Sequence, residues 1–578
     1  MKMDLYPEKA QYLTGEEVLL IAEKTDVMPF DGQPAGMNEL LELRIFFLEK
    51  QIRTVAVQMY DDCIPIQAGC FQSEFAGYGA ELWKKGTGDA RLTEEFCIAS
   101  TSFDVVDKPS RSIRYGFLSD FDSRDGDDGG DLDFLRKYHI NMIQFYDWSF
   151  RHDSLVPKED IYEDMMGKRK DFGVIRKKME EARRMGMKTL GYGAVYAAGE
   201  SYYREHPEQA LYTSCGEPFR FIDIFYIMNI KNDNPWHYHI IEEYAEAVKK
   251  AGFDGIHMDT YGFPKTAFSM DRERIELQKE FPGLIQDTKE RLSQEPGEHY
   301  LIFNNVGNWP VGAAAAAPVD AVYIEVWPPY ERYHHIREII REAKSACGKA
   351  KPVILAAYLE PFRTSGGKEP PVEEKAGYSA RILTAAIISL GASHLLMGED
   401  GCVLTQGYYP DYTKMSETLK AQMRSYYDFL IRYMNLFYCE EMQEVTMTHM
   451  GWDNYEYQCG FPCSGDGMAD RIWMIAREGG KEKSISLINL CGCGDDCWNK
   501  GKYRPEVQKE LELTVLTDGE TEGVYIASPD GETAGDGSGI GAAMKPLAYT
   551  CFETDRGKFI RFTVPVLYVW ALVYIKGK

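Results

Sequence analysis

Two acidic residues sit in contexts that suit cleavage of an acetal bond. Asp259 lies in G-F-D-G-I-H-M-D-T-Y-G (252–262), where an apolar, strand-like run ends in Asp. The Thr-Tyr-Gly that follows is a turn that would present the carboxylate. Glu325 sits in Y-I-E-V-W (323–327), whose apolar and aromatic neighbours would raise its pKa and keep it protonated. An ionised carboxylate beside a protonated one can perform a double displacement. The first attacks the anomeric carbon, and the second protonates the leaving oxygen and later activates water. A gap of about 5 Å between them is the retaining geometry. On this reading Asp259 is the nucleophile and Glu325 the acid/base. Taken singly, each has a plainer reading, because an Asp at a strand end more often caps a helix or braces a loop. Asp254, just before the same strand, reads as such a turn residue.

Such a pair needs a frame that brings distant parts of the chain together. Between about 112 and 400, apolar strand candidates alternate with amphipathic helix candidates. The strands are Ile113–Leu118, Met142–Tyr146, Thr189–Val195, Gly255–Met258, Tyr300–Asn304, Ala321–Ile324, Pro352–Ala357 and His394–Met397. Helical periodicity marks Phe172–Met185, Trp236–Ala251, Asp271–Leu292, His335–Ala346 and Lys375–Leu390, and a long stretch, Ser416–Phe437, closes the region. Eight such units predict a (β/α)8 TIM barrel, whose chemistry sits where strands end. An open doubly wound sheet is the competitor, weakened because no G-x-G-x-x-G follows the first strand. The strand ends then supply candidate substrate-binding residues: Asp120, Tyr146, Asp147, His152, Tyr192, Tyr196, Asn305, Trp327, Tyr358 and Glu399. They make a cup of carboxylates, amides and aromatic rings, suited to hydroxyls and sugar faces. His257, one pleat from Asp259, reads as a core histidine, and His334-His335 as an exposed helix start.

The flanks have a different rhythm. Residues 4–105 carry short β-branched and aromatic runs (Val18–Ile21, Leu43–Phe47, Thr54–Met59) parted by turn clusters such as 30–36, which predicts a β-sandwich. After about 438, Arg471–Ala476, Lys483–Ile488, Glu510–Leu516, Gly523–Ile526 and Phe559–Ile575 predict a second one, with a Gly-rich stretch at 529–541. The expected division is 1–108, 109–437 and 438–578. Gly312–Ala317 reads as the first turn of a helix.

Composition narrows the partners. The 578 residues carry a formal charge of -25, which argues against nucleic acid and anionic membrane surfaces and is compatible with a neutral substrate. No stretch reads as a membrane span and the N-terminus carries no hydrophobic signal core. The thirteen cysteines are odd in number and lack framework spacing, so free thiols in a reducing compartment are expected. Cys491, Cys493 and Cys497 form C-x-C-x3-C, which matches no common structural zinc pattern. A cytoplasmic protein is expected, or a secreted one if a leader has been removed, with no metal and no cofactor.

Five strings together resemble glycoside hydrolase family 66: Y-D-W-S-F-R-H (146–152), 252–262 as above, F-N-N-V-G-N-W (303–309), Y-I-E-V-W (323–327) and L-G-A-S-H-L-L-M-G-E-D (390–400). The resemblance covers essentially the whole chain. It implies an immunoglobulin-like N-terminal domain, a TIM barrel and a C-terminal β-sandwich. It places the family nucleophile on Asp259 and the acid/base on Glu325. It further implies retaining cleavage of α-1,6-linked glucans, on dextran or isomaltooligosaccharides. Transferases of that family often carry an inserted carbohydrate-binding module, and no spare segment of that kind is visible here, which favours hydrolysis. Transglycosylation to cyclic or longer isomaltooligosaccharides is the alternative within enzymes, and a non-catalytic glucan-binding protein the alternative outside them.

Overall fold

Eight short parallel strands form the centre of the protein: β1 (Tyr115–Leu118), β2 (Met142–Phe145), β3 (Lys188–Ala194), β4 (Gly255–Asp259), β5 (Tyr300–Val306), β6 (Ala321–Glu325), β7 (Val353–Ala356) and β8 (Ser393–His394). Each pairs with its sequence neighbour. A parallel bridge between Phe117 and Gly398 brings the two edges together, so the barrel is nearly closed. The computed structural model describes residues 3–25, 40–84, 95–127, 129–348, 351–365, 372–517, 519–530 and 542–578. The turn expected at 30–36 and most of 529–541 lie outside the described residues.

Strands buried on both faces are mostly apolar, and β1, β2 and β7 are buried at every position, Gln144 of β2 included. Helices Phe172–Arg184, Pro235–Glu246, Leu277–Leu292, Tyr333–Cys347 and Val372–Ser389 occupy the expected connections. The helix expected from Asp271 starts only at Leu277. Arg274–Glu276 instead pairs with Thr266–Phe268, through a turn in which Arg272 takes a positive φ of 67°. The expected helix at Gly312–Ala317 is a four-residue turn, Val311–Ala314. The stretch Ser416–Phe437 divides at Tyr433 into Glu417–Arg432 and Met434–Tyr438.

Before the barrel, a three-stranded and a five-stranded sheet enclose one apolar core that includes Leu20, Leu43, Ile45, Ile66 and Leu82. This unit is tied to the barrel by a buried ion pair. Arg114 donates to both oxygens of Asp104, at 2.8 and 3.0 Å, just ahead of β1. After the barrel, a seven-stranded and a four-stranded sheet share a second core around Met474, Leu487, Leu513 and Phe562. The run expected as one strand at Phe559–Ile575 is two, Gly557–Leu567 and Trp570–Gly577, one in each sheet. The chain crosses over where Asp530 accepts the amides of Val569 and Trp570, at 3.1 and 2.7 Å.

Candidate active site

Asp259 is the last residue of β4 and Glu325 the last of β6. Between them runs β5, which pairs with β4 through Met258–Phe303 and with β6 through Val306–Glu325. Both carboxyl groups line one cleft of about 610 Å³ at the C-terminal rim of the barrel. Asn304 of β5, the strand between them, reaches Asp259. Its Nδ2 donates to Asp259 Oδ1 at 2.7 Å, and the same side chain also favours the ionised form of Glu325.

Each carboxylate has further donors. Tyr192 OH donates to Asp259 Oδ2 at 2.7 Å, and the Thr260 amide also stabilises the Asp259 anion. Tyr358 OH donates to Glu325 Oε1 at 2.6 Å and Trp327 Nε1 to Oε2 at 2.8 Å. Burial nevertheless wins at both. It raises Glu325, and it raises Asp259 well above the usual carboxylate range, with the charge of Glu325 as the second cause. Two such carboxyls hold one proton between them over an interval of pH.

The cup is aromatic. Tyr146, on the rim after β2, stacks on Tyr409 with centroids 4.3 Å apart and donates to Gly407 O at 3.2 Å. Tyr409 in turn bonds Tyr323 OH at 2.6 Å. Beneath Asp259, on the same face of β4, His257 packs between Tyr115, Tyr192 and Tyr323. Its Nδ1 meets Tyr115 OH at 2.9 Å, and burial lowers its pKa to about 3, so the ring is neutral.

The candidate binding residues divide. Tyr146, Asp147, His152, Tyr192 and Trp327 line the cleft with the two carboxyls. Asp147 holds a positive φ of 49°, and burial pushes its carboxyl up to about 7, opposed by Lys170. His152 is lowered to about 4 by burial. Tyr358 acts through its bond to Glu325 and is not among the residues that form the wall.

Four expectations fall elsewhere. Asn305 points away from the cleft and donates to Tyr323 O at 2.9 Å. Side chains alternate along a strand, so either Asn304 or Asn305 faces in. Phe303 packs on Phe281 of the surrounding helix layer, which turns Asn305 outward with it and Asn304 inward. Tyr196 is buried, donates to Phe263 O and accepts from Tyr261 N at 2.7 Å, so it braces the turn after Asp259. Asp120 lies in a neighbouring cleft and accepts from Tyr412 OH at 2.6 Å. Glu399 is buried below it, accepting from Ser119 N and, at 2.7 Å, from Ser119 Oγ.

Other residues of the cleft escaped the sequence reading. Phe221, Ile222 and Phe225 come from a hairpin in the connection after β3, in which Phe221 pairs with Phe225. Phe221 stacks on Tyr261 at 4.0 Å, and Ile222 is exposed at the tip with a φ of 45°. The alternation F-R-F-I-D-I-F-Y-I (219–227) was the available signal. Thr260, Val306, Gly407 and Tyr408 complete the floor and far wall. At the start of helix Tyr333–Cys347, Glu338 joins His334 and His335, with one ligand atom of each within 4.8 Å of the others. His335 Nδ1 is occupied there by the Arg332 amide, at 3.2 Å.

Comparison with known proteins gives a consistent picture. A sequence profile of Glycosyl hydrolase family 66 matches residues 7–574. Two cycloisomaltooligosaccharide glucanotransferases from Niallia circulans are each 22% identical. One match covers 99% of this chain and 71% of the relative, the other 82% and 63%. The chain thus spans less than two thirds of the second relative. A crystal structure of a cycloisomaltooligosaccharide glucanotransferase from a Paenibacillus species, complexed with cycloisomaltoheptaose, superposes with a TM-score of 0.84 at 20% identity. It covers 99% of this chain and 100% of the other.

Proposed function

The chain belongs to glycosyl hydrolase family 66, and from that premise we propose that it is a retaining hydrolase of α-1,6-linked glucans, acting on isomaltooligosaccharides or dextran. Asp259 is the nucleophile and Glu325 the acid/base in this reading. The observation that carries it is the placement of both carboxyls in one cleft, each held by its own donors, Asn304 and Tyr192 on Asp259 and Tyr358 and Trp327 on Glu325. The flanking sheets fit an immunoglobulin-like domain at 1–108 and a β-sandwich at 438–578 around a catalytic barrel at 109–437.

In the first step the Asp259 carboxylate bonds to the anomeric carbon while the glycosidic C–O bond breaks. Glu325 gives its proton to the departing oxygen. In the second, Glu325 takes a proton from water, the water oxygen attacks the same carbon, and Asp259 leaves. Donors held by buried strands cost no reorganisation as the charges move. The charge of Glu325 raises Asp259 after burial does, so protonating Glu325 eases the ionisation of Asp259, and the reactive form carries the proton on Glu325.

Tyr146, Phe221, Tyr261 and Trp327 give the substrate flat faces, and Asp147 and His152 give it polar groups. The test is incubation with isomaltooligosaccharides of graded length and chromatography of the products. Shorter saccharides that keep the anomeric configuration when first formed support the reading. Inverted products, or no action on α-1,6 linkages, contradict it.

A second reading is favoured by the names of the relatives, both glucanotransferases. In it, a sugar hydroxyl replaces water in the second step, and the same experiment yields cyclic products or products longer than the substrate.

A further inference from the structure

At the opposite end of the barrel from Asp259, four cationic side chains, Arg337, Arg341, Lys344 and Arg477, line a cleft of about 230 Å³ between the barrel and the C-terminal sheets. Arg337 and Lys344 stand two turns apart on helix Tyr333–Cys347, and Arg477 comes from the C-terminal strand Ile472–Gly479. Lys344 and Arg477 meet at Gly391, in the turn that leads into β8. A Cβ built there would lie 2.5 Å from Lys344 Nζ and 2.9 Å from both Arg477 Nη1 and the Phe437 carbonyl oxygen, so two cationic heads and one carbonyl close on a single point.

Like charges brought together out of water repel, and a fold tolerates them when a counter-charge lies between them. Two carboxylates border the cleft, and Glu444, whose charge also reaches Lys344 and Arg477, is among the described residues the one counter-charge to four cations. Glu444 accepts from Arg337 Nη2 at 2.9 Å, and Glu440 faces Arg111 at 3.4 Å. Among the described residues, neither Lys344 nor Arg477 has a carboxylate within ion-pair reach. Arg477 is 5% exposed, spends one nitrogen on Met442 O, and keeps a buried Nε without a partner. Lys344 makes only a long contact, 3.5 Å, to Leu390 O. The Arg337 Nε is also buried and unpartnered. Burial, and after it the charge of Arg477, lowers the Lys344 ammonium to about 7, against the smaller opposing effect of Glu444. This occurs in a chain whose overall charge is -25, so the patch runs against the surrounding field.

We propose that Lys344 and Arg477, with Arg337 beside them, form a binding site for a small oxyanion of the phosphate class, free or carried on a sugar, which bridges the barrel floor and the C-terminal sheets. Arginine provides a planar fork and lysine a point charge, the usual pairing for a tetrahedral oxyanion. Bound there, the anion would fasten the two units together and stabilise the folded chain.

The experiment follows thermal unfolding and calorimetric binding of the whole protein with inorganic phosphate, with a hexose monophosphate, and with chloride at matched ionic strength. Saturable binding and a rise in Tm with either phosphate, beyond the chloride control, are expected. The hexose arm tells a free anion from a sugar-borne one. Lys344→Gln should weaken the binding about tenfold or more, as expected for the loss of one charged hydrogen bond. Lys344→Glu supplies an internal counter-charge, so it should raise Tm without phosphate and abolish the response to it. Wild type that responds to phosphate no more than to chloride, or variants that respond as wild type does, overturns the proposal.

Discussion

Asn304 Nδ2 lies 2.7 Å from Asp259 Oδ1, and this contact fixes the orientation of the carboxylate assigned as nucleophile. With Tyr192 OH on the other oxygen, both lone-pair sets of Asp259 are directed by side chains from adjacent strands. Asn304→Ala removes a hydrogen bond to a charged group, worth about 1.5–3 kcal/mol, so kcat should fall about tenfold to a hundredfold. Tyr192→Phe should cost a similar amount. Steady-state kinetics on an isomaltooligosaccharide checks both, and a loss confined to KM would contradict the positioning role.

The roles of the carboxyls separate by leaving group. Glu325→Gln should lower turnover of a natural linkage by about 10²–10⁴-fold, the usual contribution of a general acid. A substrate whose leaving group needs no proton should lose far less in glycosyl-enzyme formation. Asp259→Asn should abolish both reactions. Equal losses for Glu325→Gln on the two substrates would remove the general-acid assignment.

The charge of Glu325 raises Asp259, second only to burial. Removing it in Glu325→Gln should therefore move the ionisation of Asp259 to lower pH. With the activated substrate, the acidic limb of kcat/KM should shift downward relative to that of wild type. A limb that stays put would mean that the two groups do not feel each other.

Glu399 carries a linkage effect on stability. Burial pushes it up to about 8, above the ordinary value of about 4.3. Between those values the folded chain keeps a proton that the unfolded chain has lost, so stability is full at the acid end and declines as pH rises toward 8. Glu399→Gln retains an acceptor for Ser119 and should flatten that decline. Denaturation midpoints between about pH 5 and pH 8 give the slope, and an unchanged slope would sink the idea.

Gly255 begins β4 opposite Tyr300 of β5. A Cβ there would lie 2.0 Å from the Tyr300 carbonyl oxygen and 2.7 Å from its amide nitrogen, both backbone atoms that cannot swing aside. Gly255→Ala should destabilise the protein by about 1–3 kcal/mol or more, as overpacking does. Chemical denaturation measures it, and a neutral result would mean that β4 and β5 separate easily at that point.

Most barrel strands were legible because buried parallel strands are largely apolar, uninterrupted in Y-G-F-L and V-I-L-A and broken by one polar residue in M-I-Q-F and G-I-H-M. Asp259 and Glu325 were legible because each ends such a run. Asn304 was not separated from Asn305, because the choice rests on which face Phe303 takes, and that is set by contact with Phe281. The Phe221–Phe225 hairpin lies in a connection whose path over the cup is a tertiary property. Asp120 and Glu399 follow strand ends too, but the chain turns there, and Ser119 and Tyr412 take up their oxygens.

The most direct measurement traps the intermediate. The protein is incubated with an isomaltosyl donor that bears fluorine at C2 and a good leaving group, then digested and mapped by mass spectrometry. The account predicts one added glycosyl group on the peptide that contains Asp259, and none in Asp259→Asn. A label on another carboxylate, or rapid turnover through an inverted product with no label, would contradict it.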